Sequence, residues 1–275
     1  MNFSHIINEI GNTDPEFFQK TDSRRESLKS FQRFAGKVAM ASLPMALGGL
    51  FRKSYGQSPS GIIDVLNYAL TLEYLEAAFY QNGNNVANTL IPTAAARQAI
   101  GTIGSHESAH VNFLKTAISA SGGTPVSSPN FDFTAGGAFP DVFTNYNTFL
   151  AVAQTFEDTG VRAYKGQAAA LISNNDVLTA ALNIHSVEAR HASHIRQMRK
   201  ANNFGDVKPW ITGKDSGIGA VVQASYNGEE ITTQAGVEIT NINNFAISAS
   251  AASEAFDEPL TMMEVLTIVK PFIKG

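Results

Sequence analysis

Apolar residues recur at helical spacing in four long segments of the chain. The segments are residues 61–81, 92–119, 145–172 and 175–201. In the first segment, steps of three and four residues, the period of one helix face, join Leu66, Leu70, Glu73, Ala77 and Tyr80. We therefore predict four long helices, the first ending within the run 82–85, Asn-Gly-Asn-Asn.

The connections between these helices predict their arrangement. Short connections join the first helix to the second and the third to the fourth, as antiparallel neighbours require. A longer stretch, residues 122–144, rich in Gly, Pro, Ser and Phe, separates the second helix from the third. Extended chain, at about 3.3 Å per residue, is long enough there to run along a helix of roughly 40 Å. The predicted fold class is therefore all-α, a four-helix bundle with a long crossover between helices 2 and 3.

After the fourth predicted helix, the sequence pattern no longer predicts long helices. Residues 217–240 resemble short strands, with Asn227-Gly228 as a two-residue hairpin turn. Residues 261–273 carry an apolar stripe and predict a fifth helix that packs on the bundle. The predicted domains are a leader (1–57), the bundle (58–205) and a C-terminal extension (206–275).

The leader contains an arginine pair. Residues 23–29, Ser-Arg-Arg-Glu-Ser-Leu-Lys, resemble the twin-arginine export signal, with Ser27 where Phe is usual. The apolar run that follows, residues 38–47, is too short and too weakly apolar for a membrane span. We expect export to the periplasm or cell surface, without a stable membrane span in the mature chain. An ordinary basic amphipathic helix is the alternative, because a long region precedes the arginines and no clear cleavage motif follows them.

Two Glu-x-x-His pairs lie in the second and fourth predicted helices. They are Glu107 with His110 and Glu188 with His191. A spacing of three residues places a carboxylate and an imidazole side by side on one helix face. Five of the six histidines fall in these two segments, which favours a shared site over random placement.

The first and third predicted helices each carry a Glu with a Tyr seven residues later. The pairs are Glu73 with Tyr80 and Glu157 with Tyr164. Seven residues are two helical turns, so each Tyr shares a face with its Glu. The two halves of the chain thus repeat one pattern: Glu-x6-Tyr, then Glu-x-x-His.

This repeated pattern predicts a di-metal site. One Glu from each of two helices and Glu-x-x-His from each of the other two is the arrangement known in di-iron and di-manganese carboxylate bundles. Four buried carboxylates need compensation, and two divalent cations neutralise four such charges. Oxygen-rich ligation with one imidazole per metal suits two iron or two manganese ions better than zinc. The predicted ligands are Glu73, Glu107, His110, Glu157, Glu188 and His191.

Other interpretations remain open at several positions. Glu76 and Asp158 compete with Glu73 and Glu157, and only the Tyr spacing favours the latter pair. Tyr80 and Tyr164 are candidate catalytic residues, as phenols that hydrogen-bond near the metals, or else core aromatics. The remaining histidines of the two segments lie on flanking faces and are expected to contact ligands or solvent: His106, His185 and His194.

The amino-acid composition excludes some kinds of site and argues against one class of partner. The chain has no Cys, which excludes disulfides, thiolate metal sites and cysteine nucleophiles. A net charge of −4, without a Lys- and Arg-rich stripe, argues against nucleic acid as a partner. Any metal must therefore be held by Asp, Glu and His.

Four stretches resemble one protein family. They are 66–80 (LNYALTLEYLEAAFY), 106–110 (HESAH), 156–167 (FEDTGVRAYKGQ) and 187–196 (VEARHASHIR). The chain is similar over about residues 60–205 to ferritin-like domain proteins that include plant desiccation-related proteins and exported bacterial relatives. The resemblance implies a ferritin-like four-helix bundle but no single activity, because related bundles store iron, reduce or disproportionate peroxide, or oxidise substrates.

Three functions follow as hypotheses. The leading one is a di-metal protein that is redox active toward a small oxidant, oxygen or peroxide, in stress protection. The alternative is a non-catalytic stress or structural bundle whose metal is structural or absent. Iron storage in a closed cage is disfavoured, because the leader and the C-terminal extension would interfere with the assembly of subunits into a cage. An oligomer is left open.

Overall fold

Four long helices form the centre of the fold. The computed structural model describes residues 59–274, so the predicted leader, with its arginine pair and the expectation of export, lies outside the described residues. The first hairpin pairs α1 (Pro59–Asn85) with α3 (Ala94–Ala120), and the one-turn helix α2 (Ala87–Leu90) lies between them. The second pairs α4 (Tyr146–Ala168) with α5 (Asn175–Ala201) through a 3₁₀ turn, Ala169–Leu171. The predicted all-α four-helix bundle is confirmed.

Polar caps fix where three of these helices begin. The Thr93 side chain accepts a hydrogen bond from the Ala96 amide, Asn145 accepts from the second and third residues of α4, and Asn174 accepts from Val177. Such caps satisfy amides that have no partner within the helix, and each contributes about 1 kcal/mol.

The predicted end of the first helix, within the run 82–85, is confirmed at the last residue of that run. The helix continues through the run 82–85 to Asn85, with the Asn82 side chain bonded to the Ala78 carbonyl. Gly83 serves close packing here, because a Cβ at this position would stand 2.5 Å from the ring of Phe149. That ring in turn stacks on Phe79 at 4.8 Å between centroids.

The crossover between the two hairpins adds aromatic side chains to the core. Phe133, Phe139 and Val142 are buried there, and the Phe133 ring packs edge-on against Phe79. The crossover also holds strand β1 (Asn130–Phe131). The predicted long crossover is therefore present and is itself part of the core.

The C-terminal extension contains short elements. They are a 3₁₀ helix (Ala220–Ser225), strands β2 (Thr233–Gln234) and β3 (Val237–Glu238), a 3₁₀ turn (Ile242–Asn244), helices α6 (Ala249–Ser253) and α7 (Met262–Val269), a 3₁₀ turn (Lys270–Phe272) and strand β4 (Ile273–Lys274). Strand β4 pairs antiparallel with β1, with Phe131 opposite Ile273, so the end of the chain is tied to the crossover. The predicted fifth helix is present but shorter, since it gives way to the 3₁₀ turn and β4.

The predicted position of the hairpin was wrong. The two-residue turn is Ala235-Gly236, with φ of 50° and 82°, the left-handed pair that tight hairpins favour. Asn227-Gly228 instead follows the 3₁₀ helix that replaces the predicted strand, and the Asn227 carbonyl accepts a hydrogen bond from Arg162.

Buried arginines attach the extension to α4 and α5. Arg162 on α4 pairs with Glu229 at 2.6 Å and also donates to three backbone carbonyls: Ser225, Asn227 and Glu258. On α5, Arg199 donates to the Phe204 and Gly217 carbonyls. Backbone carbonyls that follow α5 accept hydrogen bonds from both arginines. These hydrogen bonds compensate for burying the two positive charges and hold the extension against α4 and α5.

Across residues 59–274, no helix combines the length and the apolar character needed to cross a membrane.

Candidate metal centre

Four buried glutamates meet in the interior of the bundle, one from each long helix. Glu73 on α1, Glu107 on α3, Glu157 on α4 and Glu188 on α5 are each 0% exposed. Helical periodicity turns each of them inward together with the apolar stripe of its helix. The carboxylate convergence expected from the sequence is therefore observed.

Together with two imidazoles, the glutamates form two overlapping groups. One contains Glu73, Glu107, His110 and Glu188, and the other contains Glu107, Glu157, Glu188 and His191. Within each group, one nitrogen or oxygen from every residue lies within 4.8 Å of the others. Glu107 and Glu188 belong to both groups, and each group adds one further Glu and one His, so the six residues would hold two cations.

Both imidazoles direct Nδ1 into the cluster. His110 Nδ1 lies 3.1 Å from Glu73, 3.0 Å from Glu107 and 3.3 Å from a Glu188 oxygen. His191 Nδ1 lies 2.8 Å from Glu107 and 3.3 Å from Glu157. Each imidazole nitrogen is thus surrounded by carboxylate oxygens, as it would be around a shared cation.

A third histidine supports the second imidazole from outside. His106 Nδ1 lies 3.0 Å from His191 Nε2, and the two rings stack with centroids 5.2 Å apart. His106 is exposed, so it links the buried imidazole to solvent. A partner at the distal nitrogen fixes the orientation of a metal-binding imidazole.

The two tyrosines cross between helices. Tyr80 on α1 donates to Glu157 on α4, and Tyr164 on α4 donates to Glu73 on α1 at 2.5 Å. A step of seven residues advances about 10.5 Å along a helix, so both contacts can form only if α1 and α4 run antiparallel. If the two helices were parallel and one Tyr–Glu contact formed, the other Tyr and Glu would lie about 21 Å apart along the helix axes. Each phenol therefore orients the glutamate of the other helix.

Several metal-ligand atoms in the cluster make no well-directed hydrogen bond, although imidazole nitrogens approach some of the carboxylate oxygens to 2.8–3.3 Å. They are Glu107 Oε1, Glu157 Oε2, both oxygens of Glu188 and His191 Nδ1. Buried polar atoms without partners are costly in a folded protein. The carboxylate oxygens and imidazole nitrogen without hydrogen bonds meet in one place, while the tyrosines bond to the other oxygens of Glu157 and Glu73. Such a set of ligands suits two divalent cations of the iron or manganese type.

Burial and mutual repulsion disturb the protonation of these carboxylates. Burial raises the pKa of Glu73 to about 7, although His110 opposes the shift. Burial, followed by repulsion from Glu107 and Glu73, raises the pKa of Glu188 well above its usual value. For Glu107, burial acts in the same direction but is outweighed by the hydrogen bond from His110 and the close His191 imidazole, which lower its pKa to about 2. Without cations, the cluster must therefore hold protons on some carboxylates.

The competing acidic residues occupy different places. Asp158 accepts from Arg196 at 3.0 and 2.5 Å and from the Tyr226 hydroxyl at 2.7 Å, so it belongs to the attachment of the extension. Glu76 is 4% exposed and lies close to the cluster but in neither group. A Cβ on Gly160 would stand 3.1 Å from a Glu188 oxygen and 3.2 Å from a Glu76 oxygen, which explains the glycine in α4.

The remaining flanking histidines lie outside the cluster. His185 Nδ1 is 3.0 Å from the Val161 carbonyl, and His194 is exposed. The sequence offered Glu76 only as a competitor of Glu73 and assigned His106 no specific contact. Their signals, a Glu three residues after Glu73 and a His beside Glu107, were visible but could not be separated from surface positions.

Binding of Fe(II) or Mn(II) should tighten as pH rises from 6 to 8. Burial opposes the charged form of His191, but Glu157 and Glu107 outweigh it and raise its pKa to about 10, so the metal-free imidazole is protonated at neutral pH. Metal binding requires neutral imidazole and ionised carboxylate, so these protons must leave. For each proton released, affinity should rise about tenfold per pH unit. Calorimetry in two buffers of different ionisation enthalpy measures the release, and pH-independent binding would contradict the assignment of these ligands.

The chain was also compared with known proteins. The family described as Ferritin-like domain matches residues 61–201, which covers all but the first two residues of the four long helices and all six clustered residues. The comparison with curated proteins finds no match for this chain. The family match spans half of the chain and coincides with the observed bundle, and the chain therefore belongs to the ferritin-like domain family.

Proposed function

We propose that this protein binds two iron or manganese ions in the Glu/His cluster and uses them as an oxidoreductase toward oxygen or peroxide. The observation that supports the proposal is the pair of overlapping ligand groups, which share Glu107 and Glu188 and leave buried donor atoms without partners. A single structural cation would need only one of the two groups.

The protein's own residues would hold and tune this chemistry. Bound metals would supply two adjacent one-electron redox couples. Tyr80 and Tyr164 would keep Glu157 and Glu73 oriented and retain their protons, because burial and the neighbouring carboxylate raise the pKa of each phenol well above its usual value. His106 would orient His191 and connect it to solvent.

Metal analysis of protein purified without chelators tests the proposal. We expect about two iron or manganese ions per chain, as the di-metal bundles carry. Protein without metal would favour the non-catalytic bundle, and many iron atoms per chain would favour storage. Loaded protein should then react with oxygen or peroxide in stopped-flow mixing.

The tyrosines provide a second test of the redox role. Tyr80→Phe and Tyr164→Phe leave all six predicted ligands in place, so metal content should remain near the wild-type level. Loss of a partner that orients a ligand should lower the oxidation rate by about 10–100-fold. Unchanged rates in both variants would remove the tyrosines from the proposed catalytic set.

A further inference from the structure

An apolar cavity lies inside the bundle, one helical turn from the metal centre. All four long helices and the 3₁₀ turn after α4 contribute to its walls. The cavity exists because small side chains face it, among them Ala69 on α1, Ala117 on α3 and Ala163 on α4. Its walls are formed almost entirely by carbon atoms, and about 20 Å³ is open to the centre of a water-sized molecule.

The cavity adjoins the cluster along three helices. Ala69 precedes Glu73 by four residues, Leu114 follows His110 by four, and Ile184 precedes Glu188 by four. Four residues are about one turn, or roughly 6 Å, so each wall residue stacks directly on a predicted ligand. The cavity therefore lies immediately beyond the ligands, toward the end of the bundle where α1 begins.

Tyr164 separates the cavity from the metal centre. Its side chain lines the cavity, and its hydroxyl donates to Glu73 at 2.5 Å. Among the other wall residues, Phe113, Gln167, Ala180 and Ala181 are only half-buried, whereas Leu72, Leu114 and Ala117 are buried. The cavity is thus bounded both by wall residues near the protein surface and by Tyr164, whose hydroxyl touches the cluster.

The chemistry of the walls selects the occupant. A buried water needs two to four polar partners, and apolar cavities of this kind stay dry while accepting apolar molecules such as xenon. Hydrogen peroxide, like water, would lose most of its hydrogen bonds on entering. Dioxygen has no such bonds to lose, and the free volume admits one small molecule rather than a chain.

We infer that this cavity binds dioxygen and delivers it to the metal centre past Tyr164. The inference rests on the proposed function and deepens it, because it selects dioxygen over peroxide as the oxidant that approaches through the bundle. The chain would thereby hold its oxidant in a dry compartment beside the metals, separate from the exposed route through His106.

Xenon provides a test that does not depend on bound metal. Metal-free protein should bind xenon in the cavity, detected by crystallography under xenon pressure or by ¹²⁹Xe NMR. Ala117→Val and Ala163→Val each add two carbons to a fully buried wall position and should abolish this binding. Ala95→Val, on an exposed position of α3 outside the cavity, is the matched control and should bind xenon like wild type. Absence of xenon from the wild-type cavity would overturn the inference.

Kinetics with loaded protein tests delivery. Filling the cavity should raise the apparent KM for dioxygen about tenfold or more, the scale on which a hydrophobic pocket responds to an added methylene. The rate with hydrogen peroxide and the metal content should not change. Thermal melts show whether Ala117→Val or Ala163→Val fails to fold. If one of them does, the other is used for the kinetic comparison.

The outcomes separate the two proposals. Equal loss of the dioxygen and peroxide reactions, or loss of neither, would overturn delivery through this cavity while the proposed function stands. Protein that binds xenon but never binds metal would defeat the proposed function and delivery to a metal centre with it, leaving only an apolar gas site.

Discussion

Glu188→Gln should remove most of the stability that added Fe(II) or Mn(II) gives the folded protein. Metal that binds only the folded state adds about 3–4 kcal/mol at 100 to 1,000 times Kd. Glu188 belongs to both ligand groups and has two buried oxygens without partners, so its loss should weaken binding at both positions. Without metal, the variant should be at least as stable as wild type, because the neutral amide needs neither the charge that burial and repulsion from Glu107 and Glu73 disfavour nor a proton taken up to remove it.

Thermal melts with and without metal measure both effects. The matched control is Glu230→Gln, the same isosteric change at an exposed glutamate that pairs with Lys214. An exposed pair contributes about 0–1 kcal/mol, so the control should keep the full metal-dependent shift. If metal stabilised Glu188→Gln as much as wild type, Glu188 would not be a ligand. If metal stabilised neither protein, the cluster would not bind metal, and the non-catalytic bundle would be favoured.

Arg162→Met should destabilise the protein by about 3–5 kcal/mol, the scale for removing one partner of a buried ion pair. The change leaves Glu229 without its cation and three backbone carbonyls without a donor: Ser225, Asn227 and Glu258. Burial already raises the pKa of Glu229 to about 7 against the influence of Arg162. Since a protonated carboxyl is easier to bury than a charged one, the loss should be smaller at pH 5 than at pH 8.

Chemical denaturation and limited proteolysis locate this effect. The control is Arg190→Met on α5, at an exposed position, where a change of about 0.5 kcal/mol or less is expected. Cleavage of Arg162→Met should begin in the extension, which Arg162 attaches to α4. Adding Glu229→Gln should restore part of the stability by removing the unpaired charge, while the three carbonyls stay unsatisfied. Equal stability of the two arginine variants would contradict the role of Arg162 in holding the extension.

The sequence by itself determined the four helices and the residues that meet at their centre. Helix period is local, so the predicted segments 145–172 and 175–201 begin within a residue of α4 and α5, although the residue that caps α5 is Asn174. A spacing of three residues places Glu107 beside His110 in any helix, whatever the rest of the chain does. The predicted ligand set therefore followed from spacing and repetition before any tertiary contact was known.

Tertiary structure alone decided how these residues pair. The sequence placed Tyr80 on the face of Glu73, but the antiparallel packing of α1 and α4 gives its hydroxyl to Glu157. The packing of all four long helices decides that Glu107 on α3 and Glu188 on α5 belong to both groups, because membership depends on distances between helices.

Long-range contacts also overruled local signals. Gly83 lies within α1 and makes room for Phe149 from another helix. Asn227-Gly228 indicated a hairpin, but Arg162 binds the Asn227 carbonyl and the turn forms at Ala235-Gly236. Such outcomes depend on residues tens of positions away, whose side chains meet only after the chain has folded. The apolar cavity beside Tyr164 is of the same kind, since it arises where small side chains on separate helices happen to face one another.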